Sequence, residues 1–180
     1  MILTVDDIPT VHVAAAEVMV AQTPMLLQTV LGSCVAAVFW SPRLEAGAMC
    51  HGALPECPRN LLSTPGSAAA LRYVDHAIRH LADRLCALGT TRVELHVKLF
   101  GGADVLPLSG PRTTESVGRK NCMSALRTLE QEGLRLLASD LGGTRGRVIY
   151  FSTATGEVFL RRLQKTAIVD EEALPLLWVG

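Results

Sequence analysis

Two residues in the first third of the chain have the types needed for thiol chemistry. Cys34 lies in Thr29-Val30-Leu31-Gly32-Ser33-Cys34-Val35-Ala36-Ala37-Val38, an apolar run with a small, bendable Gly-Ser-Cys step inside it. His51 follows seventeen positions on, in Met49-Cys50-His51-Gly52-Ala53-Leu54-Pro55. A cysteine and a histidine that meet in space are the minimum equipment for thiol nucleophilic catalysis: the imidazole accepts the thiol proton, and the sulfur attacks. A lone cysteine is most often a small buried hydrophobe. Gly32 and Ser33 weigh against that here, because glycine permits the tight turn that lifts a side chain out of a strand's pleat. Thr29 could supply a third role, since a hydroxyl that accepts an imidazole N–H fixes the tautomer. As a β-branched residue in an apolar run it also reads simply as part of a strand.

Other clusters carry weaker signals. Gly101-Gly102 follows a strand-like segment without completing GxGxxG, and Gly142-Gly143-Thr144-Arg145-Gly146-Arg147 lacks the Lys-Ser/Thr of a P-loop. Both read as tight turns, able to lend backbone N–H groups to a substrate or an oxyanion. A zinc site from Cys50, His51 and Cys57 is disfavoured, because neighbouring residues of a strand point to opposite faces and no CxxC pair is present. Cys86 and Cys122 fall at inward helix positions and read as core. No metal or cofactor is expected.

Composition bounds the rest. The 180 residues are 49% hydrophobic and 19% charged, which describes a globular chain of about one domain, with 1–180 as its span. Aromatics are only 4%, so Leu, Val, Ala and Ile must build the core. A net charge of zero argues against nucleic acid or an anionic membrane as partner. No apolar run approaches a membrane span, and the acidic start Val5-Asp6-Asp7 is unlike a signal peptide. Together with five scattered cysteines, this predicts a reduced, cytoplasmic protein.

Periodicity places the candidates. An irregular arm over 1–10 precedes a strand over 11–20. Residues 25–40 read as one or two buried strands containing the Gly32–Cys34 step, and 47–54 return as another after the turn at 41–47. That succession brings Cys34 and His51 toward one end of a sheet. A loop over 56–66 leads to a helix over 67–88, with Leu71, Val74, Ile78, Leu81 and Leu85 at helical spacing, Ser67 capping it and Gly89 ending it. Alternation predicts a strand over 92–99, with Val93, Leu95, Val97 and Leu99 inside and Arg92, Glu94, His96 and Lys98 outside. After a polar loop over 104–117, a helix over 119–132 turns Cys122, Ala125, Leu126 and Leu129 inward. Strands follow at about 134–139, 147–152 and 157–163, with a hairpin turn at Thr153–Gly156, and then a C-terminal tail over 164–180. The order is not a strict βαβ alternation. It predicts an α+β domain of mixed β-sheets with helices on the outside.

Leu31-Gly32-Ser33-Cys34-Val35, His51-x-x-Leu54-Pro55, Lys98-x-Phe100-Gly101-Gly102-Ala103, Gly118-Arg119-Lys120-Asn121, and Asp140-Leu141-Gly142-Gly143 with Gly146-Arg147 occur in this order. Together they resemble CheD, the family of chemoreceptor glutamine deamidases, over roughly residues 12–162. The resemblance implies an αββα arrangement related to the catalytic domain of cytotoxic necrotizing factors. It implies a cofactor-free hydrolysis of receptor glutamines to glutamate, with Cys34 as nucleophile, His51 as general base and Thr29 as the orienting residue. Gly32, Ser33, Gly101 and Gly102 would then form turns beside the site. The implied partners are methyl-accepting chemoreceptors as substrates and, in some members, a CheC-type phosphatase. A competing expectation is a non-catalytic module that docks receptors or such a phosphatase. Asp104-Val105-Leu106 and the order Arg119-Lys120 depart from the usual pattern, at positions outside the Cys-His-Thr set.

Overall fold

The computed structural model describes residues 8–61, 67–105, 115–164 and 177–179, and apolar alternation and glycine breaks divide these described residues into ten strands and three α-helices. The segment expected to be one strand over 11–20 is two: β1 (Thr10–His12) and β2 (Val18–Ala21) flank a turn in which Ala16 takes a φ of 67°. The apolar stretch that follows gives β3 (Leu26–Leu31), β4 (Val35–Ser41) and β5 (Ala46–Gly52), broken at Gly32–Cys34 and at Pro42–Glu45. Parts of the expected arm, of the two long loops and of the tail (1–7, 62–66, 106–114, 165–176 and 180) lie outside the described residues.

The helix expected over 67–88 is instead α1 (Ala68–Leu71), capped by Ser67 as expected, and α2 (Val74–Ala87), which ends at Gly89. Tyr73 between them is extended. The cause is a competing partner: Ala53 N and Leu54 N both donate to Arg72 O, at 2.7 and 3.0 Å, and Val74 N donates to Leu54 O at 2.8 Å. The chain leaving β5 thus occupies backbone groups that a continuous helix would have used. A second departure lies at 92–94. These residues form a single 3-10 turn, held by the Glu94 carboxylate accepting from Thr91 N and Thr91 Oγ1 at 2.8 and 2.9 Å, so Val93 is 75% exposed. Regular pairing starts with β6 (His96–Gly101).

Helix α3 (Val117–Gln131) buries Ala125 and Leu129 as expected but leaves Leu126 exposed. Asn121, Ser124 and Thr128 are buried instead. This face lies on loop backbone as well as apolar surface, and its side chains donate to the carbonyls of Ser33, Ala53 and Pro55. The remaining strands are β7 (Arg135–Leu141), β8 (Arg147–Ser152), β9 (Val158–Arg162) and β10 (Leu177–Val179), with Thr153–Gly156 as the β8–β9 turn.

The strands form two mixed five-stranded sheets, ordered β1-β3-β8-β9-β10 and β2-β5-β4-β6-β7. In each, one parallel pair (β1–β3, β6–β7) joins otherwise antiparallel neighbours. Central strands β4 and β5 are buried on both faces. Val35, Ala37 and Phe39 of β4, with Ala46, Ala48 and Cys50 of β5, pack under α2 and α3. The opposite face presents Ala36, Val38 and Met49 to Leu27, Leu31, Ile149 and Phe151 of the first sheet. The layers therefore run helices, sheet, sheet, an α+β fold with α2 and α3 as one outer layer. Lys98, expected on a solvent face, is buried, because the first sheet covers that side of β6. Burial lowers its pKa, against an opposing pull from Glu157. Among the described residues no helix is long and apolar enough to cross a membrane.

Candidate active site

Cys34 sits where β3 hands over to β4, and the turn that carries it is held by every carbonyl. Gly32 O accepts from Ala103 N at 2.8 Å, Ser33 O from Asn121 Nδ2 at 2.9 Å, and Cys34 O from Gly102 N at 2.7 Å. Gly101 and Gly102 make this possible by adopting φ values of 114° and 69°. A Cβ on Gly101 would collide with Cys34 O, and one on Gly102 with Cys122 Sγ and Gly118 O. The two glycines are therefore turn residues pressed against the cysteine loop, with no room for side chains. The three carbonyls bind into the scaffold. Because a trans peptide aligns its N–H opposite its C=O, the N–H groups of Ser33 and Cys34 face away from it. The Cys34 N–H lies against its own sulfur.

The thiol itself is half-buried and packs against the core between the sheets. Burial raises its pKa, and the nearby backbone N–H opposes this only in part. His51 is the cross-strand partner of Ala36, two residues past Cys34. Strand alternation puts Cys34, Ala36 and His51 on the same side, toward the first sheet.

Thr29 meets His51 from that first sheet. It is fully buried on β3, and its Oγ1 lies 2.7 Å from Val13 O and 2.9 Å from His51 Nδ1. These two distances determine the tautomer. A hydroxyl has one hydrogen, and Val13 O can only accept, so Oγ1 donates to Val13 O and must accept from Nδ1–H. Val13 O stands 3.3 Å from Nδ1 as well, a second acceptor facing the same nitrogen. The proton of the neutral imidazole is thus on Nδ1, and Nε2 carries the free lone pair. Nε2 is buried, without a hydrogen-bond partner among the described residues. Burial lowers the His51 pKa; the Val13 carbonyl and Glu17 pull it up, and His12 adds a downward push.

The main chain of His51 is held just as closely. Its N donates to Glu17 O at 3.1 Å, and its O accepts from Ala16 N at 2.9 Å. The turn from Val13 to Glu17 is therefore a cradle for the histidine. Sequence reasoning missed it because its contribution is carbonyl and amide groups, which every residue has. It missed Asn121 as well. That residue stood in a recognised motif, but an asparagine on a helix carries no local mark of a long-range carbonyl partner.

The remaining candidates separate. Cys50 faces the helices, with its thiol pushed up to about 12 by burial, while His51 faces the first sheet, so the two cannot share a metal ion. Among the described residues no three His, Cys, Asp or Glu side chains converge as a metal site. Gly142 and Gly143 are turn residues with φ of 73° and 76°, and Gly142 N braces Gly101 O at 2.8 Å.

Comparison with known proteins points in one direction. The family described as "CheD chemotactic sensory transduction" matches residues 54–162. A protein of Geobacter sulfurreducens named "Probable chemoreceptor glutamine deamidase CheD 2" is 39% identical over 159 residues, covering 88% of this chain and 93% of the relative. A "Probable chemoreceptor glutamine deamidase CheD" from Maridesulfovibrio salexigens is 38% identical over 88% of this chain and 95% of its own. Another so named, from Jannaschia sp., is 38% identical over 92% of this chain and 89% of its own. Alignments this long leave too few residues outside them to exclude Thr29, Cys34 or His51. With more than half of its length matched by the family and relatives aligned nearly end to end, the chain belongs to the CheD family.

Proposed function

We propose that this chain hydrolyses the side-chain amide of selected chemoreceptor glutamines to glutamate and ammonia, with Cys34 as nucleophile, His51 as general base and Thr29 orienting the imidazole. One observation carries the reading: His51 is fixed through Nδ1 by Thr29 and Val13, which leaves a buried Nε2 lone pair with no partner among the described residues. A histidine kept only for packing has no need of an open basic nitrogen on the side of the sheet that also carries a half-buried thiol. The receptor as substrate is supported by the names of the relatives. The reaction adds a negative charge to a receptor's cytoplasmic helices, so the enzyme works in the cytoplasm.

A raised thiol pKa and a lowered imidazole pKa both favour the neutral Cys-SH and His pair at rest. Proton transfer then accompanies attack. The sulfur bonds to the carboxamide carbon as its proton passes to His51 Nε2. The oxyanion is met by the N–H of Cys34, with that of Ser33 turned to the same side. The imidazolium next protonates the amide nitrogen, and ammonia leaves a thioester. Water gives a proton to Nε2 and its oxygen to the acyl carbon, and the Cys34 thiol is released with a glutamate carboxylate. Thr29 stabilises the transient imidazolium by accepting from Nδ1–H throughout.

The test is incubation of the purified protein with a receptor cytoplasmic fragment, beside a Cys34→Ala control, read by mass spectrometry of the peptides. Glutamine-to-glutamate conversion by the native protein alone is expected. Conversion by both proteins, or by neither across several receptors, would refute the assignment.

A further inference from the structure

Asn121 is fully buried at the start of α3, and its carboxamide reaches both halves of the candidate site. Nδ2 donates to Ser33 O at 2.9 Å, in the cysteine loop, and to Ala53 O at 3.0 Å, two residues beyond His51. The flanking carbonyls of the loop, those of Gly32 and Cys34, are held by backbone amides of the 102–103 turn. Only the middle one depends on a side chain. That carbonyl belongs to the Ser33–Cys34 peptide, whose N–H points the opposite way in the same plane. Fold stability alone accounts poorly for an amide here, because Asn121 Oδ1 is buried with no hydrogen-bond partner among the described residues. What the position uses is the pair of donors.

We propose that Asn121 is a positioning residue for the deamidation: by holding the Ser33 carbonyl it sets the plane of the Ser33–Cys34 peptide and aims the Cys34 N–H at the developing oxyanion. The inference rests on the reaction proposed above. Oxyanion donors act through their alignment with the tetrahedral intermediate, so a rotated peptide slows acyl transfer while leaving the sulfur in place. A reaction of the same sulfur that develops no oxyanion is insensitive to this alignment.

The experiment compares two rates in the full chain and in Asn121→Ala and Asn121→Asp. The second variant keeps the side-chain volume but replaces the donors by acceptors. One rate is kcat for glutamine conversion in the receptor fragment. The other is alkylation of Cys34 by iodoacetamide at the same pH, in which sulfur displaces iodide at a saturated carbon. The expected result is a kcat lower by about 10–100-fold, less than the roughly 100–1000-fold cost of removing an oxyanion donor outright, with KM and the alkylation rate each within about threefold of the native values. A kcat within threefold of native in either folded variant would overturn the proposal. So would an alkylation rate that falls as far as kcat, or unfolding of both variants at the assay temperature, since either assigns Asn121 to the fold or the thiol. A native protein that alkylates readily but converts no glutamine would instead refute the deamidase reading itself.

Discussion

Thr29 and His51 belong to different sheets and share one hydrogen bond of 2.9 Å across the space between them. Because the single hydrogen of Thr29 is taken by Val13 O, the bond runs from the imidazole to the hydroxyl, and the packing of the two layers selects the tautomer. A proton-accepting Nε2, on the side of the sheet that Cys34 also packs against, is thus a consequence of how the sheets stack.

Thr29→Ala should therefore reduce turnover more than it reduces folding. It removes the acceptor for Nδ1–H and leaves that donor with only the longer contact to Val13 O. Loss of a buried hydrogen bond of this kind costs about 1–3 kcal/mol, or roughly 5- to 160-fold in kcat if it is felt mainly by the imidazolium. Thr29→Ser keeps the hydroxyl and should stay within about threefold. Steady-state deamidation of the receptor fragment reads both, and a serine variant as slow as the alanine would disprove the hydroxyl's role.

The direction of the His51 shift gives an acid limb. The base must be neutral, and burial holds the His51 pKa below its ordinary 6.5, so activity should persist below pH 6.5 and fall only as pH passes through the depressed value. The same shift affects stability. Between the folded and unfolded pKa values the unfolded chain binds more protons, so stability declines as pH drops below 6.5 and levels off once the folded value is passed. Direct alkylation of Cys34 should also rise with pH but over a higher range, still climbing at pH 9.0 because the thiol is shifted up. A kcat/KM profile with an acid midpoint above 6.5 would contradict this arrangement.

Two glycines with similar backbone angles should respond very differently to alanine. Gly89 has a φ of 105° and open space where a Cβ would go, so Gly89→Ala meets only the conformational cost of about 1–2 kcal/mol. Gly101 has a φ of 114°, and its Cβ would strike Cys34 O. Gly101→Ala must also displace the cysteine loop, and should lose both several degrees of Tm beyond Gly89→Ala and most of its activity. Thermal melts beside deamidation assays test this; equal losses in the two variants would show that the Gly101–Cys34 approach is not close.

The elements that present Cys34 and His51 were legible because their signals are local. The apolar stretch from Leu26 to Gly52 breaks at Gly32 and at Pro42, and those breaks deliver three strands in the expected places. What escaped depends on a partner far along the chain. The helical spacing from Leu71 to Leu85 is unbroken, and nothing in it announces that Leu54 will pair with Tyr73 and split the helix. Alternation around Lys98 separates two faces of a strand correctly, but it cannot say that a second sheet will cover the polar one. Spacing puts Leu126 inward, but Asn121 and Ser124 take inward positions because loop carbonyls need donors, and Thr128 beside them donates to the Ser124 carbonyl of its own helix. Of the candidate site, Cys34 and His51 stand out by side-chain type, while Thr29 reads equally as a strand residue and enters through the family resemblance. Val13 does not stand out, since its part is a carbonyl.

Arg147 shows how much of the site's support is remote from it. The residue is fully buried on β8, where its guanidinium pairs with the Asp140 carboxylate of β7 and donates to the carbonyls of Asp140, Gly142 and Arg145. It thereby ties the first sheet to the second behind the Gly142–Gly101 contact. Arg147→Met preserves bulk but leaves several part-buried acceptors without this donor, a change worth about 1–3 kcal/mol and about 2–12 °C in Tm for a chain of this size. Arg162 pairs with the other oxygen of Asp140 from a more exposed position, so Arg162→Ala should cost under about 1 kcal/mol. Differential scanning calorimetry of the two variants checks the ranking. Arg147→Met should also slow deamidation when assayed well below its own Tm, because the turn behind Cys34 loses its brace. A variant that melts early yet turns over at the native rate would confine Arg147 to the fold.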